Sequence, residues 1–272
     1  MKRGIVQAKE YVLPEEAMPG KTKLGDFSML LHGEKKIGKT ALASRFPGAF
    51  FFKFEPGEGD RALHGVDILD WTDFRGYSRA FTKSTKFKTA IIDTVKVAYD
   101  LCLKYVCTKM GVDHPSDEGY GKGWDAVKKE FTDTMMPLHR GSRGPIYIGH
   151  SEEKEIKRLD GTSNHKIVPG VSKAVRDFVD ATVDIIAYAT YDAKGRRVLQ
   201  LTGSDHVVAG HRCREHFVGV SQISMGRNED EAYQNFVKAF NISGGDRDVQ
   251  VVDESRGDDE PVARRVIRRV RK

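Results

Sequence analysis

The sequence is poor in cysteine, has no long apolar run and contains no internal repeat, and each absence removes a class of protein. Three cysteines, Cys102, Cys107 and Cys213, in 272 residues cannot build a disulfide scaffold, and their scarcity fits a reducing compartment. No stretch approaches the roughly 20 apolar residues of a membrane helix. The N-terminal residues MKRGIVQAKEYVLPEEA lack the apolar stretch of a signal peptide. A cytoplasmic protein without membrane contact is therefore expected. The absence of a repeat sets aside solenoids and propellers. A basic surface is lacking too, although the formal net charge is +6. Arg264, Arg265, Arg268, Arg269, Arg271 and Lys272 supply that whole excess from the C-terminal end. The charge describes a tail and says little about the folded part.

What is present is a soluble globular composition, 39% hydrophobic and 31% charged. Residues 1–25, with Pro14, Pro19 and Gly20, read as an N-terminal arm, 26–242 as one core, and 243–272 as a disordered basic tail. Within the core, apolar runs alternate with segments of helical spacing. Strands are expected at 27–32 (FSMLLH), 49–54 (AFFFKF), 88–93 (KTAIID), 145–150 (PIYIGH) and 183–189, with a hairpin through 193–196 into 197–202. Helices are expected near 39–46, 95–110, 124–140, 171–181 and 228–241. Residues 58–86 are mixed in character, and 111–123 and 151–170 read as polar loops. Runs buried on both faces suit a parallel sheet, so the alternation predicts an α/β fold of three layers with a mainly parallel central sheet.

The strongest local signal is Gly33-Glu34-Lys35-Lys36-Ile37-Gly38-Lys39-Thr40, followed by Ala41. It matches GxxxxGK[ST] between an expected strand and an expected helix. Glycines let backbone N–H groups wrap phosphates. Lys39 then reaches the β- and γ-phosphates, and the Thr40 hydroxyl ligates Mg²⁺. ATP and Mg²⁺ are the expected cofactors. Asp93, closing the run AIID, is the matching carboxylate for the metal. Many P-loop ATPases place a Glu directly after that Asp, whereas position 94 is Thr. The base must come from elsewhere, and Glu55, ending FFKFE, stands at the tip of a neighbouring strand. His150, ending PIYIGH, is placed to contact the γ-phosphate and report it to the loop that follows.

The order GEKKIGKT, FFKFEPG, AIIDT, IYIGH resembles RecA-like recombinases, and most closely phage-encoded RecA-like P-loop ATPases of the nucleotide-binding or single-strand annealing type. The resemblance spans about 27–217. It implies a RecA-like core, Glu55 as catalytic base, His150 as γ-phosphate sensor, and loops 111–123 and 151–170 along a path for single-stranded DNA. It also implies a homo-oligomer with ATP at subunit interfaces, a single-stranded-DNA-binding protein as a further partner, and a bacterial host cytoplasm. In such assemblies a basic residue enters the neighbour's ATP site. VVAGHRCREHF at 207–217 offers Arg212, or else Arg214, for that role.

Several features stay open to plainer readings. His206, His211, Cys213 and His216 cluster, but their spacing fits no standard zinc pattern. Tyr120 and Trp124 offer stacking faces beside basic groups, while Glu152, Glu153 and Glu155 dilute the charge of 151–170. Phe236-Val237-Lys238-Ala239 resembles an FxxA docking element, yet Ala232, Phe236, Ala239 and Phe240 also form an ordinary core stripe. Two other functions compete with the recombinase: a nucleotide-gated scaffold or replication or packaging accessory, and a P-loop small-molecule kinase.

Overall fold

Buried apolar runs and helical spacing give the expected alternation in a computed structural model, which describes residues 13, 15–17, 20–56, 62–141, 143–157 and 161–242. The basic tail and most of the N-terminal arm lie outside those residues. In chain order the elements are β1 (Met29–Gly33), α1 (Lys39–Ala43), β2 (Ala49–Lys53), β3 (Gly65–Asp67), α2 (Trp71–Lys83), β4 (Thr89–Asp93), α3 (Val95–Met110), α4 (Lys122–Met135), β5 (Ile146–Lys157), β6 (Ser163–Pro169), α5 (Lys173–Thr182), β7 (Ile185–Tyr191), β8 (Arg197–Gln200), β9 (Gly210–His211), β10 (Gln222–Ser224) and α6 (Glu229–Phe240). This is a mixed α/β fold. The chain divides into two compact units, the first holding residues up to Met29, Phe46–Tyr147 and Lys173–Val183, the second Leu30–Arg45, Ile148–Ser172 and the chain from Asp184.

In the first unit β2 lies between β3 and β4, and both pairings are parallel. The register sets Phe51 beside Ile91 and Lys53 beside Asp93, so the two strand tips end together. Parallel strands need their faces covered, and helices rich in aromatic side chains do so here. α2 starts at Asp70, whose carboxylate accepts a hydrogen bond from the Asp73 N–H at 2.9 Å. It buries Trp71, Phe74, Ser78 and Phe81 along one stripe. Phe131 of α4 joins the elements: its ring stacks near Trp71 at 5.9 Å and meets Tyr99 and Phe178 edge-on, each at 5.3 Å. At the far side His139 stacks on Tyr147 and shares a 2.7 Å hydrogen bond with its hydroxyl.

In the second unit the strands run β10-β8-β7-β1-β5, with β6 paired to β5 and β9 to β7. β8 is antiparallel to both β7 and β10. α6 is capped by Asn228, whose side chain accepts from the Glu231 N–H at 2.9 Å, and carries three acids in its first turn, where the helix dipole favours them. Arg45, just past α1, bonds Glu229 at 3.2 Å and Asp230 at 2.9 Å at that same end. Phe236 and Ala239 are buried, Phe236 stacking on Phe217 at 5.6 Å, so this stripe is core in the folded chain.

The structure departs from expectation in three places. The mixed stretch 58–86 contains β3 and α2, whose helical stripe is short and flanked by polar residues. The expected loop 151–170 is largely strand: β5 runs past His150 to Lys157 and returns as antiparallel β6, with Ser151 opposite Pro169 and Lys157 opposite Ser163. Charged residues on an exposed hairpin erase the apolar alternation by which strands are read. β10, three residues long, has too little sequence to give a signal.

Phe131 is 1% exposed and touches aromatic rings from three other helices. Replacing it with Ala removes that joint and leaves a cavity, so Phe131→Ala is expected to lower stability by about 3–5 kcal/mol, read from the urea-denaturation midpoint.

Candidate functional site

The phosphate-binding pattern folds as its chemistry requires. β1 is buried along its whole length and ends at Gly33. A Cβ built on Gly33 would lie 2.2 Å from the Ala189 carbonyl oxygen of β7, so no other residue fits there. The loop then turns through Lys36 at φ 63° and Gly38 at φ 112°, on either side of buried Ile37. Lys39 opens α1 and is 6% exposed; its Nζ donates to the Gly33 carbonyl at 3.0 Å and to the Glu34 carbonyl at 2.6 Å. Glu34, Lys35 and Lys36 are exposed, Ile37 and Ala41 are buried, and Thr40 is half-buried. These residues fit a nucleotide: glycines where side chains would obstruct, a held ammonium and a hydroxyl suited to Mg²⁺.

One residue beside the loop was not foreseen. His32, fully buried, precedes Gly33. Its Nε2 lies 2.7 Å from the Val208 carbonyl oxygen, which only accepts, so Nε2 carries the proton. Nδ1 then accepts from the Ser151 hydroxyl at 2.9 Å. Burial pushes the imidazole down from 6.5 to about 4; the Val208 bond opposes this, and the Lys39 charge adds a smaller push downward. A polar residue inside an otherwise apolar strand is the signal that could have marked it.

In the first unit the tips of β2 and β4 carry two of the expected groups, Glu55 and Asp93. Glu55 is half-buried, and its Oε1 accepts a 2.6 Å hydrogen bond from the hydroxyl of buried Thr94. The Phe54 and Glu55 N–H groups both point to the Asp93 carbonyl oxygen, at 2.6 and 3.4 Å. The structure thus brings Glu55, Asp93 and Thr94 together as neighbours. Thr94 also starts α3, which leaves β4 directly.

His150 lies within β5 and does not end a strand, which corrects its expected place; its carbonyl accepts from the Gly170 N–H across the hairpin at 2.8 Å. Arg212 follows the short β9, with its N–H bonded to the Asp184 carbonyl at 2.9 Å. Arg212 and Arg214 line one open cavity of about 720 Å³, with His211 and His216. His216 stacks on Phe240 at 3.8 Å and bonds its carbonyl, and Cys213 is buried. Among the described residues no group of three or more His, Cys, Asp and Glu is placed to hold a metal ion. The 111–123 segment contains two short 3-10 turns, the first capped by His114. It presents Tyr120 fully exposed, and Trp124, at the start of α4, 41% exposed and edge-on to His114 at 5.4 Å.

The model of one protein family, described as AAA domain (AAA_24), matches residues 26–213. No curated protein matches the chain. Among the described residues no helix is long and apolar enough to cross a membrane.

The buried imidazole gives a pH signature. Between 6.5 and about 4 the unfolded chain binds a proton that folded His32 refuses. Stability from this group is complete above the higher value and is lost as pH falls through the window, by at most about 3 kcal/mol. Urea denaturation at several pH values should show this decline, and His32→Gln should flatten it. Equal slopes for the two proteins would refute the assignment.

Proposed function

The chain belongs to the AAA domain family of P-loop ATPases, and on that premise we propose that it is a RecA-like ATPase that assembles with ATP on single-stranded DNA and promotes annealing or strand exchange in phage recombination. Lys39 and the amides of Gly33–Thr40 bind the phosphates. Thr40 and Asp93 hold Mg²⁺, which when bound neutralises the charge that develops on the transferred phosphoryl group. Glu55 orients and deprotonates the attacking water. In a homo-oligomer Arg212, or Arg214 in its place, completes a neighbour's site, and His150 senses the γ-phosphate and passes the state to the hairpin β5–β6.

The observation that carries the RecA-like reading is the position of Glu55. The residue after Asp93 is Thr, and that Thr donates to a carboxylate at the end of the adjacent strand. The carboxylate thereby stands beside the metal-binding Asp from another strand, where the resemblance puts the base. DNA contact is supported by Tyr120, which exposes a whole aromatic face, and by Lys122 and Trp124 next to it.

Hydrolysis measured with and without single-stranded DNA tests both halves. Wild-type protein is expected to hydrolyse ATP faster with DNA. Glu55→Gln should keep nucleotide binding and lose about 10²- to 10⁴-fold in rate. Hydrolysis that survives Glu55→Gln would remove the proposed base. Tyr120→Ala should weaken DNA binding by about 1–3 kcal/mol for each base that it stacks. DNA binding that is weak and indifferent to ATP would favour the nucleotide-gated scaffold.

A further inference from the structure

Arg197 opens β8, and its guanidinium is fixed over the P-loop. Nη2 donates to the carbonyl oxygens of Gly226 and Arg227, both at 3.1 Å. The Arg197 carbonyl in turn accepts from the Met225 N–H at 2.9 Å, so the residue is held at backbone and side chain by the same turn. Its other terminal nitrogen faces the loop: a Cβ built on Gly38 would lie 3.1 Å from Nη1 and 3.5 Å from the Met225 methyl carbon. The turn itself is fastened to α6, because the Arg227 N–H bonds Glu231 at 2.8 Å.

Arg197 keeps donors on Nη1 that the turn does not use. Two carbonyls satisfy N–H groups but do not neutralise a guanidinium, and Arg197 pairs with no carboxylate among the described residues. Half-buried, it stands instead beside the Gly38 end of the loop, with Nη1 next to that glycine. A guanidinium is suited to this place because its planar fork keeps two donors on the turn while others remain for phosphate oxygens.

We propose that Arg197 is a nucleotide-binding residue acting in cis, its Nη1 donating to the α- or β-phosphate held by the Gly38 end of the loop. This assignment rests on the reading of Gly33–Thr40 as the nucleotide site. The choice of phosphate follows from position: the loop amides cradle the α- and β-phosphates, whereas the P-loop lysine extends to the β- and γ-phosphates. A contact at Gly38 is therefore shared by ATP and ADP. It is uniform binding, which sets affinity and leaves the chemical step alone.

Equilibrium binding of ATP and of ADP to the full chain, across a salt series, tests this with Arg197→Gln, Arg197→Lys and Lys39→Ala. Arg197→Gln keeps a donor for the turn and removes the charge. It is expected to weaken ATP and ADP alike, by about tenfold or more, as for loss of a charged hydrogen bond. Its salt dependence should be shallower than wild type, an effect that a merely structural role would not produce. In turnover, KM should rise with kcat nearly unchanged. Arg197→Lys should fall between the two and serves the same comparison if thermal melting shows Arg197→Gln unfolded. Unchanged ADP affinity in a folded variant, or a loss confined to ATP, would overturn the inference while leaving the P-loop reading intact. Wild-type protein that binds neither nucleotide, matching Lys39→Ala, would overturn both.

Discussion

Gly33 lies so close to β7 that any side chain would overlap the Ala189 carbonyl, and the phosphate-binding loop depends on that contact. β1 runs between β7 and β5 in the second unit and is buried throughout, so the chain leaves it at a height and direction fixed by its neighbours. A bulkier residue at 33 would lift the loop from the sheet. With glycine the strand ends flush, and the chain then turns through the positive φ of Lys36 and Gly38. Lys39 is then buried against the carbonyls of Gly33 and Glu34. Those oxygens fix the ammonium within the loop, a cation suited to a phosphate-bearing ligand.

The same crowding explains the neutral imidazole beneath the loop. A charged His32 would put a further cation near Lys39 in a place with little water, so burial keeps the imidazole neutral, and the Val208 carbonyl fixes its one proton on Nε2. Through that proton β1 is tied to the turn at 204–208. Through Nδ1 it is tied to Ser151 in β5. The turn is also bonded to β6, by the Ile167 N–H to the His206 carbonyl and the Val208 N–H to the Ile167 carbonyl. A continuous set of hydrogen bonds therefore links the exposed hairpin to the strand that ends in the P-loop.

How much of this was legible in the sequence depended on where residues lie relative to water. β1, β2 and β4 are buried on both faces and showed as apolar runs; α3 and α6 showed helical spacing; the P-loop showed because its chemistry demands fixed residue types. The hairpin β5–β6 was read as a loop because its pairing is exposed and needs no apolar alternation. α2 was missed although Asp70, Trp71, Phe74 and Phe81 carry a cap and a stripe, since the polar residues among them dilute the pattern. The placing of Glu55 beside Asp93 was readable from the strand-tip rule. His32 and Arg197 were not, because each is placed by a contact distant in sequence: Val208 for one, the 226–227 carbonyls for the other.

The pairing of Glu55 with Thr94 shows why the carboxylate cannot simply occupy the position after Asp93. Thr94 is 3% exposed and lies at the start of α3. A carboxylate there would have to be buried, and it would face Glu55 across the distance that the 2.6 Å hydrogen bond now spans. Two carboxylates so close cannot both remain ionised. A hydroxyl at the same point does the opposite: it donates to Glu55 and fixes that side chain's direction while adding no charge. The identity of residue 94 and the placing of the acid just after β2 are thus two sides of one constraint.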